Sequence, residues 1–361
     1  MKIDPAKISE KSNHNPDYFS NKITFLNVIL TFSIVILHAK TPERWGMALD
    51  MSFPYIYWTH VIVQIGVPCF FFISGMLFYR KCNDFNDIER KLLSRVNTLL
   101  IPYIVWNVFF VAVYYLMTRI PDIHSRMNMG EVFISPKEIL TAIILSKFTV
   151  LWFVEDLMIF CALSALIYIV IKRKKTSFCV FGISVAAVLI YKPEYQSVYY
   201  WFPMYLSGAM MGRFIVDTRD GQYWDIKSAI GKNYSIAVAV VMVLVFVITA
   251  ILTGYDAESF IFWFRLLSPV LIWFTVDVFL RRFIEVKFRK KAWMTYMFFI
   301  FCTHQFVLNL LQKIVVLNLP PTHLVLNLTF IITPVIAMIV LIFIARFLSR
   351  YPIFRYLNGG R

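Results

Sequence analysis

Charged residues are scarce in this chain. Asp, Glu, Lys and Arg make up only 16% of its 361 residues, whereas soluble domains contain about 25%. Hydrophobic residues make up 59% of the chain and aromatic residues 17%, and the mean hydropathy is +0.68. This composition excludes an ordinary soluble domain and is typical of an integral membrane protein.

Two further features are missing. The five cysteines show no spacing typical of a metal site, so we expect no bound metal and treat the cysteines as small apolar residues. Residues 1–22 are polar, and no small-residue cleavage site follows the first apolar run. We therefore expect no cleaved signal peptide and a first helix that remains in the membrane.

Long apolar runs are abundant. A spanning helix needs about 20 apolar residues, and ten stretches approach or exceed that length. They are 23–39, 55–79, 98–118, 151–171, 177–191, 198–216, 233–253, 259–280, 294–317 and 324–348. Continuous runs argue against a β-barrel, whose strands alternate apolar and polar residues. The sequence predicts an all-α integral membrane protein, a bundle of about ten transmembrane helices forming one domain at 23–349, with polar tails at 1–22 and 350–361.

The chain is strongly basic. Its net charge is +15, with 36 Lys and Arg against 21 Asp and Glu. An excess of this size is also typical of nucleic-acid-binding proteins, but here the basic residues are concentrated in alternate connecting segments. That distribution is the positive-inside pattern of membrane proteins. We therefore expect both termini in the cytoplasm, contact between the basic residues and membrane lipids, and no nucleic-acid partner.

A short helix is predicted in the long connection at about 119–150. Ser135 is followed three residues later by Glu138, which is the spacing of a capping box at a helix start. Ile139, Ile143 and Phe148 then recur at helical intervals. The stretch is too short to cross a membrane, so it predicts an interfacial helix lying against the bundle.

Several ionisable side chains fall in the outer half of the predicted bundle. His38 closes the first predicted helix, Glu155 and Asp156 open the fourth, and Arg265 lies about two turns into the eighth. Ionisable residues at bilayer depth are costly and usually serve a function. A carboxylate beside a histidine can orient it as a general base. These four residues are therefore candidate catalytic residues.

Structural alternatives exist for these side chains. Glu155 and Asp156 also suit the positive N-terminal end of a helix. Arg265 could instead pair with Asp256 or Glu258 near the membrane surface. Two other histidines in predicted spans are equally consistent with ordinary hydrogen-bonded interior residues: His60 and His304.

A basic cluster marks the inner end of the third predicted span. Arg90, Lys91 and Arg95 lie within six residues of one another. Such a cluster could hold the phosphates of a nucleotide-like ligand. The alternative is that these residues only set the topology and contact lipid headgroups.

Six segments occur in a recognisable order. They are ITFLNVILTFSIVILHA, VPCFFFISGMLFYRK, RKLLSRVNTLLIPYIVWN, LWFVEDLMIFCALSAL, WFPMYLSGAMMGR and MFFIFCTHQFVL. In this order they resemble spans of acyltransferase family 3, the integral membrane O-acyltransferases of bacteria. The resemblance covers about residues 23–348, which is nearly the whole chain.

The resemblance implies a hallmark in the first span, a basic residue followed after ten others by histidine. His38 matches the histidine, and Asn27 occupies the basic position. Eleven residues make about three helical turns, so both positions share one helix face about 16 Å apart. The family's two third-span arginines, spaced three apart, are matched by Arg95 and replaced at the second position by Thr98.

The resemblance also implies the reaction. An acyl group, most often acetyl, passes from cytoplasmic acyl-CoA to a hydroxyl of a cell-surface or lipid-linked glycan at the outer face of the bacterial inner membrane. His38 would be the general base, Glu155 or Asp156 would orient it, and Arg265 would stabilise the oxyanion. Envelope polysaccharide machinery is the expected partner. The positions expected to bind the donor are Asn27, Arg90, Lys91 and Arg95.

Two other functions are consistent with the sequence. A transporter or flippase for a glycolipid would use the buried charges as a substrate path, and inverted repeats would favour it, but none is visible. A non-catalytic partner in envelope assembly is the second alternative, because Asn27 departs from the hallmark.

Overall fold

The computed structural model describes residues 17–39, 61–120, 135–146, 150–216 and 232–360, and in these ranges it contains helices and no strand. The helices are α1 Asp17–Leu37, α2 Gly66–Tyr79, α3 Phe85–Arg95, α4 Ile101–Thr118, α5 Pro136–Ile144, α6 Trp152–Ala162, α7 Ser164–Ile171, α8 Lys174–Tyr191, α9 Val198–Met211, α10 Lys232–Tyr255, α11 Ala257–Thr275, α12 Met297–Asn318, α13 His323–Leu348 and α14 Phe354–Leu357. Short 3₁₀ turns precede α2 (Ile62–Ile65) and α12 (Ala292–Tyr296). A π-helical turn, Val96–Leu100, joins α3 to α4.

The all-α multi-pass prediction is confirmed. Within the described ranges, 8 helical segments are long and apolar enough to cross a membrane, or 9 if α6 and α7, bent by 64°, form one span. The predicted span 151–171 is thus bent, and the predicted span 198–216 is not among these segments. It is the 14-residue helix α9, followed by a π-helical turn at Gly212–Val216, and it lies almost entirely buried inside the bundle.

Close backbone contact between α2 and α9 explains why α9 is buried. A Cβ added to Gly208 would lie 1.9 Å from the Phe72 carbonyl oxygen, and one added to Gly75 would lie 2.3 Å from the Tyr205 carbonyl oxygen. Only glycine permits helices to approach so closely, which is a common device of membrane helix packing. This pair of helices therefore forms the centre of the bundle, and the other helices surround it.

The predicted interfacial helix is present as α5. The Ser135 hydroxyl accepts a hydrogen bond from the Glu138 backbone N–H, and the Glu138 side chain accepts one from the Ser135 backbone N–H. The helix packs against α4, where the Tyr103 hydroxyl donates to the Ile144 carbonyl. The capping-box interpretation is confirmed.

The first helix begins before the apolar run, inside the stretch expected to be a tail. Lys22 and Asp277 are both buried, with the Lys22 Nζ atom 2.7 Å from the Asp277 carboxylate. Lys22 also donates to the Trp273 carbonyl at 2.9 Å, and the Tyr18 hydroxyl donates to Asp277. This buried ion pair connects the start of α1 to the turn that directly follows α11.

Candidate active site

A cavity of about 200 Å³ opens among helices that are distant in sequence. Asn27 and Thr31 of α1 form one wall, and Arg95, at the end of α3, lies on another. The remaining lining residues come from α1, α2, the π-helical turn Val96–Leu100, α6, α12 and the segment after α14: Ile23, Phe70, Ile73, Ser74, Leu77, Thr98, Leu99, Phe153, Val154, Leu157, Met297, Phe298, Phe301, Asn358 and Gly359. The cavity therefore combines polar groups at a few positions with a largely apolar lining.

The cavity brings together the hallmark position of the first span and the basic cluster of the third. Asn27, Arg95 and Thr98 all line it. The Arg95 guanidinium carbon lies 5.9 Å from the centre of the Phe78 ring, and the side chain is partly exposed. Asn27 and Thr98, the two positions at which this chain lacks a basic residue of the family pattern, thus line the same cavity as Arg95.

Arg90 and Lys91 do not line this cavity. Lys91 donates to the carbonyls of Leu77, Phe78 and Arg80, at the end of α2. The Arg90 guanidinium is 75% exposed and pairs with Asp87. Lys91 thereby satisfies carbonyls that a helix end leaves without intrahelical partners. Of the three basic residues in the cluster, only Arg95 reaches the cavity.

The chain end contributes to the same cavity. Asn358 is 1% exposed. Its amide donates to the Thr295 carbonyl at 2.9 Å, and its side-chain oxygen accepts from the Phe299 backbone N–H at 3.2 Å. Gly359 follows with φ +70°, a left-handed conformation that favours glycine. The segment after α13 therefore folds back on the bundle and closes part of the cavity.

His38 meets a second histidine. It lies directly after the last residue of α1, and its ring centre is 5.1 Å from that of His304 on α12. Gln312, also on α12, donates to the His38 carbonyl at 3.2 Å. These contacts fix the end of α1 against α12.

The surroundings of His304 determine which of its nitrogens carries the proton. His304 is completely buried, and its Nδ1 atom is 2.7 Å from the Phe301 carbonyl oxygen. Because a carbonyl only accepts hydrogen bonds, Nδ1 must be the protonated nitrogen of the neutral ring. The Nε2 atom then carries a lone pair, and it has no hydrogen-bond partner in the described part of the chain.

Phe301 connects the histidine pair to the cavity. Phe301, whose carbonyl holds His304, lines the cavity, as does Thr31 on α1. His38 follows Thr31 by seven residues, about two helical turns. The cavity and the histidine pair are thus connected through α1 and α12.

The two carboxylates of α6 differ in their surroundings. Glu155 accepts a hydrogen bond from the Tyr103 hydroxyl at 3.3 Å. Asp156 is 5% exposed, and its Oδ2 atom has no partner among the residues that the structure describes. Neither side chain caps the start of α6, because the N-cap residue is Leu151, whose side chain makes no capping hydrogen bond.

Arg265 is buried on α11 and contacts neutral groups. Its Nη1 atom donates to the Tyr200 hydroxyl at 2.9 Å, and its Nη2 atom donates to the Gln64 side-chain oxygen at 2.8 Å. The ring of Tyr195 lies 4.4 Å from the guanidinium carbon. Burial raises the pKa of Tyr195, which keeps this hydroxyl uncharged beside the cation.

The two acids considered as partners of Arg265 are engaged elsewhere. Asp256 caps the start of α11 by accepting a hydrogen bond from the Ser259 backbone N–H at 3.1 Å. Hydrogen bonds from the Ser259 side chain and backbone lower the pKa of Asp256. Glu258 lies 3.6 Å from Lys192 at the surface. The alternative of an ion pair with Arg265 is therefore not observed.

The sequence of this protein matches one family over almost its full length. The pattern described as an acyltransferase domain, that of acyltransferase family 3, matches residues 21–348. The chain belongs to acyltransferase family 3. The resemblance inferred from the sequence is confirmed.

A curated relative of this protein is the succinoglycan biosynthesis protein ExoH of Rhizobium meliloti (strain 1021), 26% identical over 170 residues. The match covers 43% of this chain and 44% of the relative, so it spans less than half the length of that protein. No solved structure matches the chain.

The site contains residues that sequence reasoning did not select. The sequence is equally consistent with His304 as an ordinary hydrogen-bonded interior residue. Its contact with His38 in the structure is what distinguishes it from such a residue. His60 lies outside the described residues. Within the ranges that the structure describes, no group of three or more His, Cys, Asp or Glu side chains could hold a metal ion.

Proposed function

We propose that this acyltransferase moves an acyl group, acetyl in the simplest case, from acyl-CoA on the cytoplasmic side to a hydroxyl of a cell-surface or lipid-linked glycan at the outer face. One observation carries the proposal. A single cavity is lined by Asn27, Arg95 and Phe301, and the Phe301 carbonyl contacts His304, whose ring packs against that of His38. The relative named for succinoglycan biosynthesis supports a polysaccharide acceptor.

His38 is the general base of the proposed reaction. It removes the proton of the acceptor hydroxyl while that oxygen attacks the carbonyl carbon of the thioester. The tetrahedral intermediate then collapses, the carbon–sulfur bond breaks, and the proton on His38 passes to the departing CoA sulfur. The ester product is thereby formed and His38 returns to its neutral form, without an oxidant, a reductant or a metal ion.

His304 acts through His38 and is a positioning residue. With Nδ1–H committed to the Phe301 carbonyl, only its Nε2 lone pair is available. The ring centres of His38 and His304 are 5.1 Å apart. A small rotation of the His38 side chain would therefore bring one of its nitrogens towards that lone pair. An acceptor in this place favours the His38 tautomer whose other nitrogen faces the substrate, the role that a carboxylate has in other sites. Glu155 and Asp156 remain predicted orienting residues.

Arg95 binds the phosphates of the donor. A guanidinium forms short, charge-assisted hydrogen bonds to phosphate oxygens, and Arg95 lies at the lining of the cavity. A cavity of about 200 Å³ fits the slender pantetheine arm and leaves the nucleotide outside. Asn27 provides a neutral amide where the family pattern has a cation. In this proposal Arg90 and Lys91 stabilise the end of α2 and its connection instead of binding the donor.

The proposed setting is the bacterial cytoplasmic membrane, with both termini in the cytoplasm and the envelope polysaccharide machinery as partner. The concentration of basic residues in alternate connecting segments supports this orientation. The chain would contact anionic lipids through these residues, and nucleic acid has no role.

The test is acyl transfer in proteoliposomes containing the purified protein. Acetyl-CoA labelled in the acetyl group is added outside vesicles that hold a polysaccharide acceptor. We expect label in the polysaccharide only when both the protein and the acceptor are present. Movement of unmodified glycolipid across the membrane, without any label transfer, would contradict the proposal in favour of a transporter.

A further inference from the structure

Arg265 carries a full positive charge into the bundle without an anionic partner among the described residues. The residue is 8% exposed. Its two hydrogen-bonded neighbours, Tyr200 and Gln64, are both neutral. The Nε atom is buried and makes no hydrogen bond to any described residue.

Buried charges in proteins are usually paired, because removal from water is costly. This protein follows that rule elsewhere, since buried Lys22 lies 2.7 Å from the carboxylate of Asp277. Arg265 departs from the rule although acids occur at the start of its own helix. Asp256 and Glu258 contact Ser259 and Lys192 instead. The missing anion is therefore expected to come from outside the bundle.

The unused part of the guanidinium suits a carboxylate. A guanidinium has five N–H donors in a planar fork, and here one donor on each Nη atom is engaged. The Nε–H and the remaining N–H groups of the Nη atoms are left to bind a ligand. A pair formed by Nε–H and a neighbouring Nη–H matches the two oxygens of a carboxylate, which Arg binds in bidentate fashion.

Aromatic rings surround this guanidinium. Its central carbon lies 4.4 Å from the ring centre of Tyr195, 5.6 Å from that of Tyr200 and 5.8 Å from that of Trp201. Trp152 continues the group, 5.5 Å from Tyr195 and 6.0 Å from Trp201. These rings hold the cation by cation–π attraction but supply no net negative charge. Flat aromatic faces also suit the apolar faces of sugar rings.

The arginine is linked to the part of α1 that leads to His38. Its partner Gln64 belongs to the short 3₁₀ turn Ile62–Ile65, which packs against α1. At the adjacent Gly66, an added Cβ would lie 2.8 Å from the Ile34 side chain, one turn before His38. Arg265 is therefore connected to the C-terminal half of α1 through Gln64 and this turn.

We propose that Arg265 and its aromatic neighbours bind a carboxylate of the substrate. This inference rests on the proposed function, because the carboxylate belongs either to an acidic sugar of the glycan acceptor or to an acyl group that ends in a carboxylate. The role differs from oxyanion stabilisation. A carboxylate is bound equally in the ground state and the transition state, so its loss raises KM, whereas loss of an oxyanion contact lowers kcat.

The experiment compares substrates that differ only in the carboxylate. Acyl transfer is measured with methyl glucuronide against methyl glucoside as acceptor, and with acetyl-CoA against an acyl-CoA whose acyl group ends in a carboxylate. The variants are Arg265→Gln and Arg265→Lys, and Lys192→Gln is the control because it removes a nearby cation at the surface. Thermal unfolding of each purified protein reports its stability.

We expect Arg265→Gln to raise KM at least tenfold for the carboxylated member of one pair and to leave its neutral counterpart unchanged. An effect on the acceptor pair would show that the carboxylate belongs to the glycan. An effect on the acyl-CoA pair would show that it belongs to the acyl group. Arg265→Lys keeps the charge but not the fork, so a smaller increase is expected; this variant also decides the question if Arg265→Gln is too unstable to purify. A wild-type enzyme that does not distinguish the members of either pair would overturn the inference, as would an equal loss of kcat on all four substrates.

Direct binding separates this inference from the proposed function. If the wild-type protein transfers no acyl group, the binding of methyl glucuronide and of the carboxylated acyl-CoA is measured by calorimetry. Binding of either compound to the wild type but not to Arg265→Gln would support a carboxylate site although the reaction was wrongly assigned. Equal binding to both proteins, or none to either, would overturn the site itself.

Discussion

His38 and His304 face each other with their ring centres 5.1 Å apart, although one follows the first helix and the other lies on α12. The buried partner has its Nδ1 proton directed at the Phe301 carbonyl. The other ring nitrogen of His304, Nε2, can therefore only accept a hydrogen bond. This arrangement makes one histidine dependent on the other, and it is the centre of the proposed mechanism.

Replacement of His304 tests that dependence. His304→Leu should lower kcat by about 10- to 100-fold, the usual effect of losing a residue that orients a catalytic group, with little change in KM. His304→Gln keeps an acceptor atom in the side chain and should recover part of the rate. Steady-state kinetics of the two variants provide the measurement. If both lose only thermal stability and keep the wild-type kcat, His304 is structural.

Arg95 and Arg90 provide a matched pair for the donor site. Arg95 lines the cavity, whereas Arg90 is exposed and pairs with Asp87. Arg95→Gln should raise the KM for acyl-CoA about tenfold, equivalent to roughly 1.4 kcal/mol, because a charge-assisted contact with phosphate is lost. Arg90→Gln should leave it unchanged. Equal effects of the two substitutions would assign both arginines to topology or lipid contact.

The ion pair between Lys22 and Asp277 should contribute strongly to stability. Lys22→Met leaves the buried Asp277 carboxylate without its cation, and we expect a loss of about 3–5 kcal/mol in the free energy of unfolding. The double variant Lys22→Met, Asp277→Leu should recover most of that loss, since it leaves no buried charge. Chemical unfolding in detergent measures both. A double variant as unstable as the single one would show that the charges themselves are required.

The packing of α2 on α9 predicts a contrast between two glycines. Gly208→Ala would place a Cβ 1.9 Å from the Phe72 carbonyl oxygen, whereas Gly182→Ala on α8 meets nothing within 4 Å. We expect the first change to destabilise the protein by about 1–3 kcal/mol or more. The second should be neutral or stabilising by up to about 1 kcal/mol, because alanine favours a helix. Thermal unfolding of the two variants should rank them in this order.

The fold class could be predicted because apolar runs of membrane length and a capping box are local signals. Ser135 and Glu138 determine the start of α5 by their own hydrogen bonds. The exception was α9, whose residues are apolar enough for a span. Its glycines place it against α2, and contacts between distant segments are not visible in a hydropathy pattern.

The site could be predicted only in part, for the same reason. His38, Asn27 and Arg95 followed from the resemblance and from depth in the membrane. The partner of His38 did not, because the pairing with His304 depends on how α12 packs against α1. Lys91 was grouped with Arg95 by closeness in sequence, yet its ammonium group donates to carbonyls at the end of α2, a contact between segments that the sequence pattern does not show. For Arg265, the structural alternative was an ion pair with an acid at its own helix start, but its hydrogen-bond partners come from α9 and the segment before α2.

The most direct test of the account is the rate of acyl transfer by purified His38→Ala protein in proteoliposomes. Loss of a general base typically costs about 100- to 10,000-fold in rate, so we predict a rate at least 100-fold below that of the wild type. The variant should insert into membranes, unfold at a similar temperature and bind acyl-CoA as before, since His38 does not line the donor cavity. Transfer by this variant at close to the wild-type rate would contradict the proposed mechanism.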